Sequence, residues 1–397
     1  MNEKARELGA HRSVIRELFE YATKKKAEEG DAAIHDFTLG NPSVPPPAEV
    51  TEALLTVIRE TEPTKLHGYT TAAGDAAVRT AIAADLAARY RVEVDPSLLY
   101  LTVGAAAALS ATFGAILNEG DEAIVISPYF PEYRVFLDHA GAKVVEVAAK
   151  APDFSLDLSA IREIITERTA LLLYNSPNNP TGAVVSPEEL SALAALLREK
   201  SEEIGHPILL VADEPYRELV YDGLTVPCPL AYYDDTVICY SFSKSLSLPG
   251  ERIGYVLVSP RATGARALYE GVMGAARALG YVCAPSLFQK ILPACLGKVS
   301  SLEIYDRNRK RLYEALTSYG FSAVYPRGAF YLFLKSPEAD ANRFLERAKR
   351  LGLLFVPSDS FGCAGYVRIA YCVGEAEIEA SLPAFLQLAR EYGLCTE

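Results

Sequence analysis

Two periodicities divide this chain. Between residues 98 and 258, seven short runs dominated by Val, Ile, Leu and Tyr stand out, at 98–103, 122–127, 143–147, 169–174, 208–213, 236–241 and 254–258. Most are apolar nearly throughout rather than at every second position, as expected of strands buried on both faces. Segments with apolar residues at helical spacing separate them. Strand–helix alternation of this kind predicts an α/β unit with a mainly parallel sheet covered by helices on both faces.

The flanks read differently. Residues 3–28 are polar and helix-forming, with an apolar stripe of Leu8, Val14, Ile15, Leu18 and Phe19, and a proline-rich turn follows at 41–47. The last third predicts a charged helix at 302–319, short strands at 322–325, 329–334, 353–356 and 366–371, a helix at 339–351 and a last helix ending at Tyr392. This suits a smaller α+β layer. The expected division is therefore a larger unit over 48–285 and a smaller one built from 1–47 and 286–397, with no internal repeat and no long linker.

At 397 residues and 50 % hydrophobic content, the chain exceeds what one core organises, which agrees with two packed units. Thirty-nine basic against fifty-one acidic side chains leave a net charge of −12, and the Lys24, Lys25, Lys26 run is short. Nucleic acid and anionic membrane are thereby disfavoured as partners. The seven cysteines, from Cys228 to Cys395, form no CxxC pair and have no histidine at ligand spacing. No metal site or disulfide framework is expected, and the reducing cytoplasm is the expected compartment. His11, His35, His67, His139 and His206 are dispersed, as surface or capping residues would be. Residues 96–118 carry no charge, enough length to span a bilayer, but Ser97, Thr102, Gly104, Ser110, Thr112 and Gly114 interrupt them. A buried strand followed by an alanine-rich helix accounts for that segment.

Ligands of open parallel sheets gather beyond the carboxyl ends of the strands, so the residues there come first. After Val103 comes Gly104-Ala105-Ala106 and then helix, leaving free amides suited to a phosphate, or merely tight packing. After Tyr174 comes NSPNNPTG, 175–182, a turning path fixed by prolines and asparagines. After Ala212 comes Asp213-Glu214-Pro215-Tyr216. A carboxylate at the end of an apolar strand is costly to bury unless a cation or proton meets it, although a helix cap or loop acid would need no such partner. After the run at 236–241 comes SFSKS, 241–245, where Lys244 is a candidate covalent amine. Together these supply an acid for a ring nitrogen, a lysine for an aldehyde, and hydroxyls, amides and Arg252 for a phosphate, the requirements of pyridoxal phosphate.

The sequence resembles the class I/II aminotransferases of fold type I. NNPTG at 178–182, DEPY at 213–216, and SFSK followed by PGERIGY as far as Tyr255 occur in family order. The resemblance implies that Lys244 is the Schiff-base lysine and proton shuttle, that Asp213 pairs with the pyridine nitrogen, and that Tyr216 and Asn179 bond the phenolic oxygen. Phe130 and Pro215 would pack on the two faces of the ring. Ala105, Ala106, Ser241, Ser243 and Arg252 would hold the phosphate. Tyr69 would reach the phosphate of a neighbouring subunit, making a homodimer with shared sites. Arg368 would grip the substrate α-carboxylate, a fork-to-carboxylate pairing that also orients Cα–H, and Gly40 would belong to a segment closing over the substrate.

Three departures from the family pattern stand out. Ala106 replaces a lysine that some aspartate-specific members use for the distal carboxylate. Pro357-Ser358 replaces a usual Pro-Gly before Phe361 and Gly362, and no tryptophan is available for stacking. Tyr331, in GAFY, reads as structural support. The expected activity is transfer of an amino group from an L-amino acid to a 2-oxo acid by a ping-pong cycle, with aspartate, alanine and aromatic donors all open. A lyase or decarboxylase on the same scaffold is the nearest alternative. A non-enzymatic cofactor-binding regulator is more remote.

Overall fold

The computed structural model describes residues 1–10, 14–30 and 33–395, so His11 lies outside the described residues. After a short strand β1 (His35–Asp36), the seven apolar runs become β2 (Leu99–Thr102), β3 (Glu122–Ser127), β4 (Lys143–Ala148), β5 (Thr169–Asn175), β6 (Leu209–Asp213), β7 (Thr236–Ser241) and β8 (Gly254–Val258). They form one sheet in the order β2-β8-β7-β6-β5-β3-β4. Neighbours from β4 through β7 pair in parallel, whereas β8 runs antiparallel to both β2 and β7. Successive residues of β5 show why both faces need cover: Leu171 and Leu173 join one apolar cluster, Leu172 and Tyr174 another. Helices Pro187–Ile204 and Ala76–Tyr90 cover the second cluster's face, and Ala105–Ile116, Glu132–His139 and Ala265–Ala278 the first's. The uncharged stretch after residue 96 is thus a sheet strand plus a buried helix. Among the described residues no helix is long and apolar enough to cross a membrane.

The smaller unit holds β9 (Ala323–Val324), β10 (Tyr331–Lys335), β11 (Leu353–Leu354), β12 (Val356–Pro357) and β13 (Tyr366–Ala370). Four of these make an antiparallel sheet ordered β12-β13-β10-β9, while β11 pairs in parallel with β1. Leu18, Ala22, Ile34, Phe37 and Val44 share its core with Leu312, Phe344 and Phe385. The apolar stripe near the N-terminus is only partly used this way. Leu18 is buried, but Leu8, Val14 and Phe19 remain exposed. Helix Ser286–Cys295, expected in the smaller unit, instead packs its Ile291, Leu292 and Cys295 into the larger unit's core against helix Ala48–Glu60. Its apolar face matches that surface, so we place the boundary after this helix rather than at residue 285.

The chain that follows β6 crosses between the units. Asp213 ends a strand of the large sheet, yet Tyr216, Leu219 and Tyr221 belong to the smaller unit's core. That crossing brings the ends of β5, β6 and β7 against the face of β10 and β13.

Candidate active site

A cavity of about 1070 Å³ opens between the units, and Ala105, Ala106, Phe130, Asn179, Asp213, Pro215, Tyr216, Ser241, Ser243, Lys244, Arg252, Arg368 and Gly40 all line it. Strand ends supply most of this list. Asp213 is the last residue of β6, Ser241 the last of β7, and Lys244 sits in the helical turn Phe242–Ser245 immediately after.

Asp213 is 5 % exposed. Its Oδ2 accepts a 2.5 Å hydrogen bond from Tyr133 Oη, whereas Oδ1 is buried without a partner. Burial pushes its carboxyl up to about 7, opposed by the Tyr133 bond and assisted by the Glu214 charge. A buried carboxylate oxygen aimed at a cavity with no donor is the acceptor a ring N–H⁺ needs.

Lys244 Nζ donates to Gly40 O at 2.7 Å. Burial lowers its ammonium to about 8; the charges of Arg252 and Arg368 act the same way, against the raising influence of Cys372. Near neutrality a useful fraction of the amine is therefore uncharged, which nucleophilic attack on a carbonyl requires. Gly40 is obligatory for steric reasons: a Cβ there would stand 2.0 Å from Tyr331 Oη.

At the end of β2, Gly104 takes φ +86° and caps helix Ala105–Ile116 without any side-chain bond. A Cβ on Gly104 would lie 2.5 Å from Arg252 Nη2. The glycine thus lets the helix amides and this guanidinium share one corner. Ser241 and Ser243 hydroxyls lie 2.7 Å apart there, and Arg252 Nη1 donates to Ser243 Oγ at 3.3 Å. Helix N–H groups, two hydroxyls and a guanidinium make an anion cradle of phosphate type.

The opposite wall comes from the smaller unit. Arg368, on β13, is 2 % exposed and has no carboxylate partner among the described residues. Its Nη1 donates to Asn179 Oδ1 at 3.1 Å and its Nη2 to Thr38 O at 2.6 Å, leaving Nε buried and unpartnered. The rings of Tyr331 and Phe361 flank the guanidinium at 4.5 and 5.1 Å. A buried cation without an anion is an incomplete site for a carboxylate. The residues present fit pyridoxal phosphate at three independent points: an unpartnered acceptor, a lysine whose ammonium burial lowers, and an anion cradle.

Tyr69 is not brought into this cavity. Its side chain is 99 % exposed, so any role it has lies outside its own chain's cavity. The Pro357-Ser358 departure is accommodated locally. Ser358 is buried and opens the turn Ser358–Phe361; its hydroxyl donates to Cys363 O and accepts from Tyr366 N at 3.0 Å. The left-handed residue of this loop is Gly362, at φ +75°, so position 358 has no need of glycine.

Sequence reasoning missed Tyr133, Asn175 and the placement of Tyr331. Tyr133 follows Phe130 by one helical turn, and that spacing after a strand end was the available signal. Asn175 braces two motifs, since its Nδ2 donates to Asp213 O at 2.8 Å and its Oδ1 accepts from Asn179 N at 2.9 Å. Tyr331 lies in the cavity wall rather than behind it.

Comparison with known proteins places this arrangement. The chain is 34 % identical over 362 residues to the aspartate/prephenate aminotransferase of Thermus thermophilus, covering 88 % of this chain and 90 % of that one. A probable N-acetyl-LL-diaminopimelate aminotransferase of Bacillus subtilis is 31 % identical over 345 residues, 84 % of each chain. Among solved structures, an amino transferase from Eubacterium rectale superposes with a TM-score of 0.96 at 49 % identity, covering 99 % of both chains. The Thermus thermophilus aspartate aminotransferase with maleate gives 0.84 at 29 % identity, covering 95 % of this chain and 97 % of that one. None of these is a lyase, a decarboxylase or a regulator. Residues 33–385 match the family described as aminotransferase class I and II, a pyridoxal-phosphate-dependent family, and the chain is a member of it, an enzyme of the aminotransferase class.

Proposed function

We propose that this aminotransferase moves an amino group from an L-amino acid to a 2-oxo acid in two half-reactions, with Lys244, Asp213 and Arg368 as the residues that define the site. The observation carrying this reading is their convergence on one cavity with Asp213 Oδ1 and Arg368 Nε both buried and unpartnered. When bound, pyridoxal phosphate supplies an aldehyde for an amine and a ring that accepts electrons from the substrate Cα. Lys244 Nζ would hold the cofactor at rest and, once displaced by the substrate amine, would carry the proton between the substrate Cα and C4′ of the cofactor. Asp213 Oδ1 would accept a hydrogen bond from the ring N–H and favour its protonated form, while Tyr133 fixes the carboxylate through Oδ2. Tyr216 and Asn179 donate to the phenolic oxygen; Phe130 and Pro215 pack on the ring.

The amides of Ala105 and Ala106, with Ser241, Ser243 and Arg252, hold the phosphate. Arg368 would bind the α-carboxylate and so orient the substrate Cα–H for proton removal, and Gly40 would belong to the segment over the substrate. Full exposure of Tyr69 supports a homodimer in which this tyrosine meets the partner's phosphate. Seven free thiols support a cytoplasmic location.

Donor selectivity rests on the outer cavity wall. Leu39, Leu109, Phe130 and Val135 are apolar there, Ala106 offers no charge, and Arg16 adds a cation at the mouth. Adding amino acids one at a time to the cofactor-loaded protein, and following loss of its visible absorbance band to the amine form of the cofactor, identifies the donor. Lys244→Ala should abolish that band's resting form and turnover together. A Lys244→Ala protein with unchanged spectrum and activity refutes the assignment.

A further inference from the structure

Tyr331 is absorbed by none of the roles above, yet it touches three of the groups that carry them. It opens β10, where it pairs with Ala370 of β13 while Phe333 pairs with Arg368. Tyr331 and Arg368 are therefore diagonal neighbours on one face of the sheet, which puts the ring 4.5 Å from the guanidinium. Its hydroxyl lies 2.8 Å from Tyr216 Oη, with the two rings edge-on at 5.7 Å. The same hydroxyl stands 2.0 Å from where a β-carbon on Gly40 would be, and the carbonyl of Gly40 accepts from Lys244. Tyr331 is itself 2 % exposed, and no other hydrogen bond of its hydroxyl is formed among the described residues.

We propose that Tyr331 is a positioning residue: its hydroxyl donates to Tyr216 Oη and thereby aims and strengthens the bond that Tyr216 gives to the cofactor's phenolic oxygen, while its ring steadies Arg368. The proposal rests on the reading of Tyr216 and Arg368 given above. A hydroxyl carries one proton. If Tyr216 donates its own to the cofactor, its oxygen is left to accept, and Tyr331 is the donor in reach. Two hydroxyls in series polarise one another in a buried site, so the second is a better donor than it would be alone. Burial keeps both phenols protonated, with Tyr216 raised well above its ordinary value and Tyr331 pushed up to about 12, so the relay persists across the working pH range.

The test separates hydroxyl from ring. Tyr331→Phe keeps the ring over Arg368 and deletes the proton donor. In the cofactor-loaded protein, without substrate, the pH at which the visible absorbance changes should move upward by about 0.3–1 unit, because the phenolic oxygen is less well stabilised as an anion. KM for the amino acid should stay within about twofold of wild type. Tyr331→Leu, lacking the ring as well, should raise KM at least about tenfold through loss of the contact with Arg368.

In a Tyr216→Phe background, adding Tyr331→Phe should produce no further spectral shift, since the relay is already cut. A Tyr331→Phe protein that titrates at the wild-type pH overturns the proposal, as does an additive shift in the double variant. The spectral readout needs no turnover. Failure of the aminotransferase reading would show separately, as a loaded wild-type protein that no amino acid converts.

Discussion

Arg368→Lys keeps a positive charge in the wall and removes the fork. In the structure the guanidinium is held by Asn179 and Thr38 and confined between the rings of Tyr331 and Phe361. It can give an incoming carboxylate two parallel charge-assisted bonds, each worth ~1.5–3 kcal/mol, where an ammonium on a flexible stem gives one. Loss of one such bond costs about 2 kcal/mol, and leaving Asn179 Oδ1 without its donor costs about 1 kcal/mol more. The sum of about 3 kcal/mol corresponds to roughly a hundredfold loss in kcat/KM. The assay compares an amino acid with the analogue whose carboxylate is replaced by a carboxamide, using single-turnover conversion of the cofactor band. The acid should lose its advantage while the amide reacts nearly as in wild type. Equal losses for both, or a loss below about fivefold for the acid, would refute the assignment of Arg368 as the carboxylate grip.

In the cofactor-free protein, Asp213 raised from 3.8 to about 7 contributes stability that is fully present below about 4 and lost as pH rises through 7. The span corresponds to about 4 kcal/mol. Asp213→Asn should flatten that part of the melting-temperature profile, and an unchanged slope counts against burial as the cause. Uptake of pyridoxal phosphate by the cofactor-free protein should accelerate with pH and level off near 8 rather than near 10.5, because burial lowers Lys244; stopped-flow absorbance reads this directly. Arg16 lines the cavity mouth and forms no ion pair among the described residues. Arg16→Ala should raise KM for dicarboxylic donors several-fold and leave uncharged donors unchanged, which steady-state comparison of the two classes decides.

Much of this molecule is written locally. The near-continuous apolar runs fix strands buried on both faces, because only such strands leave no position for a polar side chain. The residues at or just past their ends, Gly104, Asp213 and Lys244, were legible as a site for the same reason: strand ends are where a covered sheet can accept charged groups. Long-range consequences were not legible. The period of helix Ser286–Cys295 shows an apolar face but not which core takes it, since both units offer an apolar surface. Tyr133 and Tyr331 lie eighty and more than a hundred residues from the side chains they bond. The first meeting depends on how helix Glu132–His139 packs against the large sheet, the second on the crossing after β6 that carries Tyr216 to β10. Sequence spacing encodes direction along one element, whereas a hydrogen bond between elements needs relative position, and only the packed units supply that.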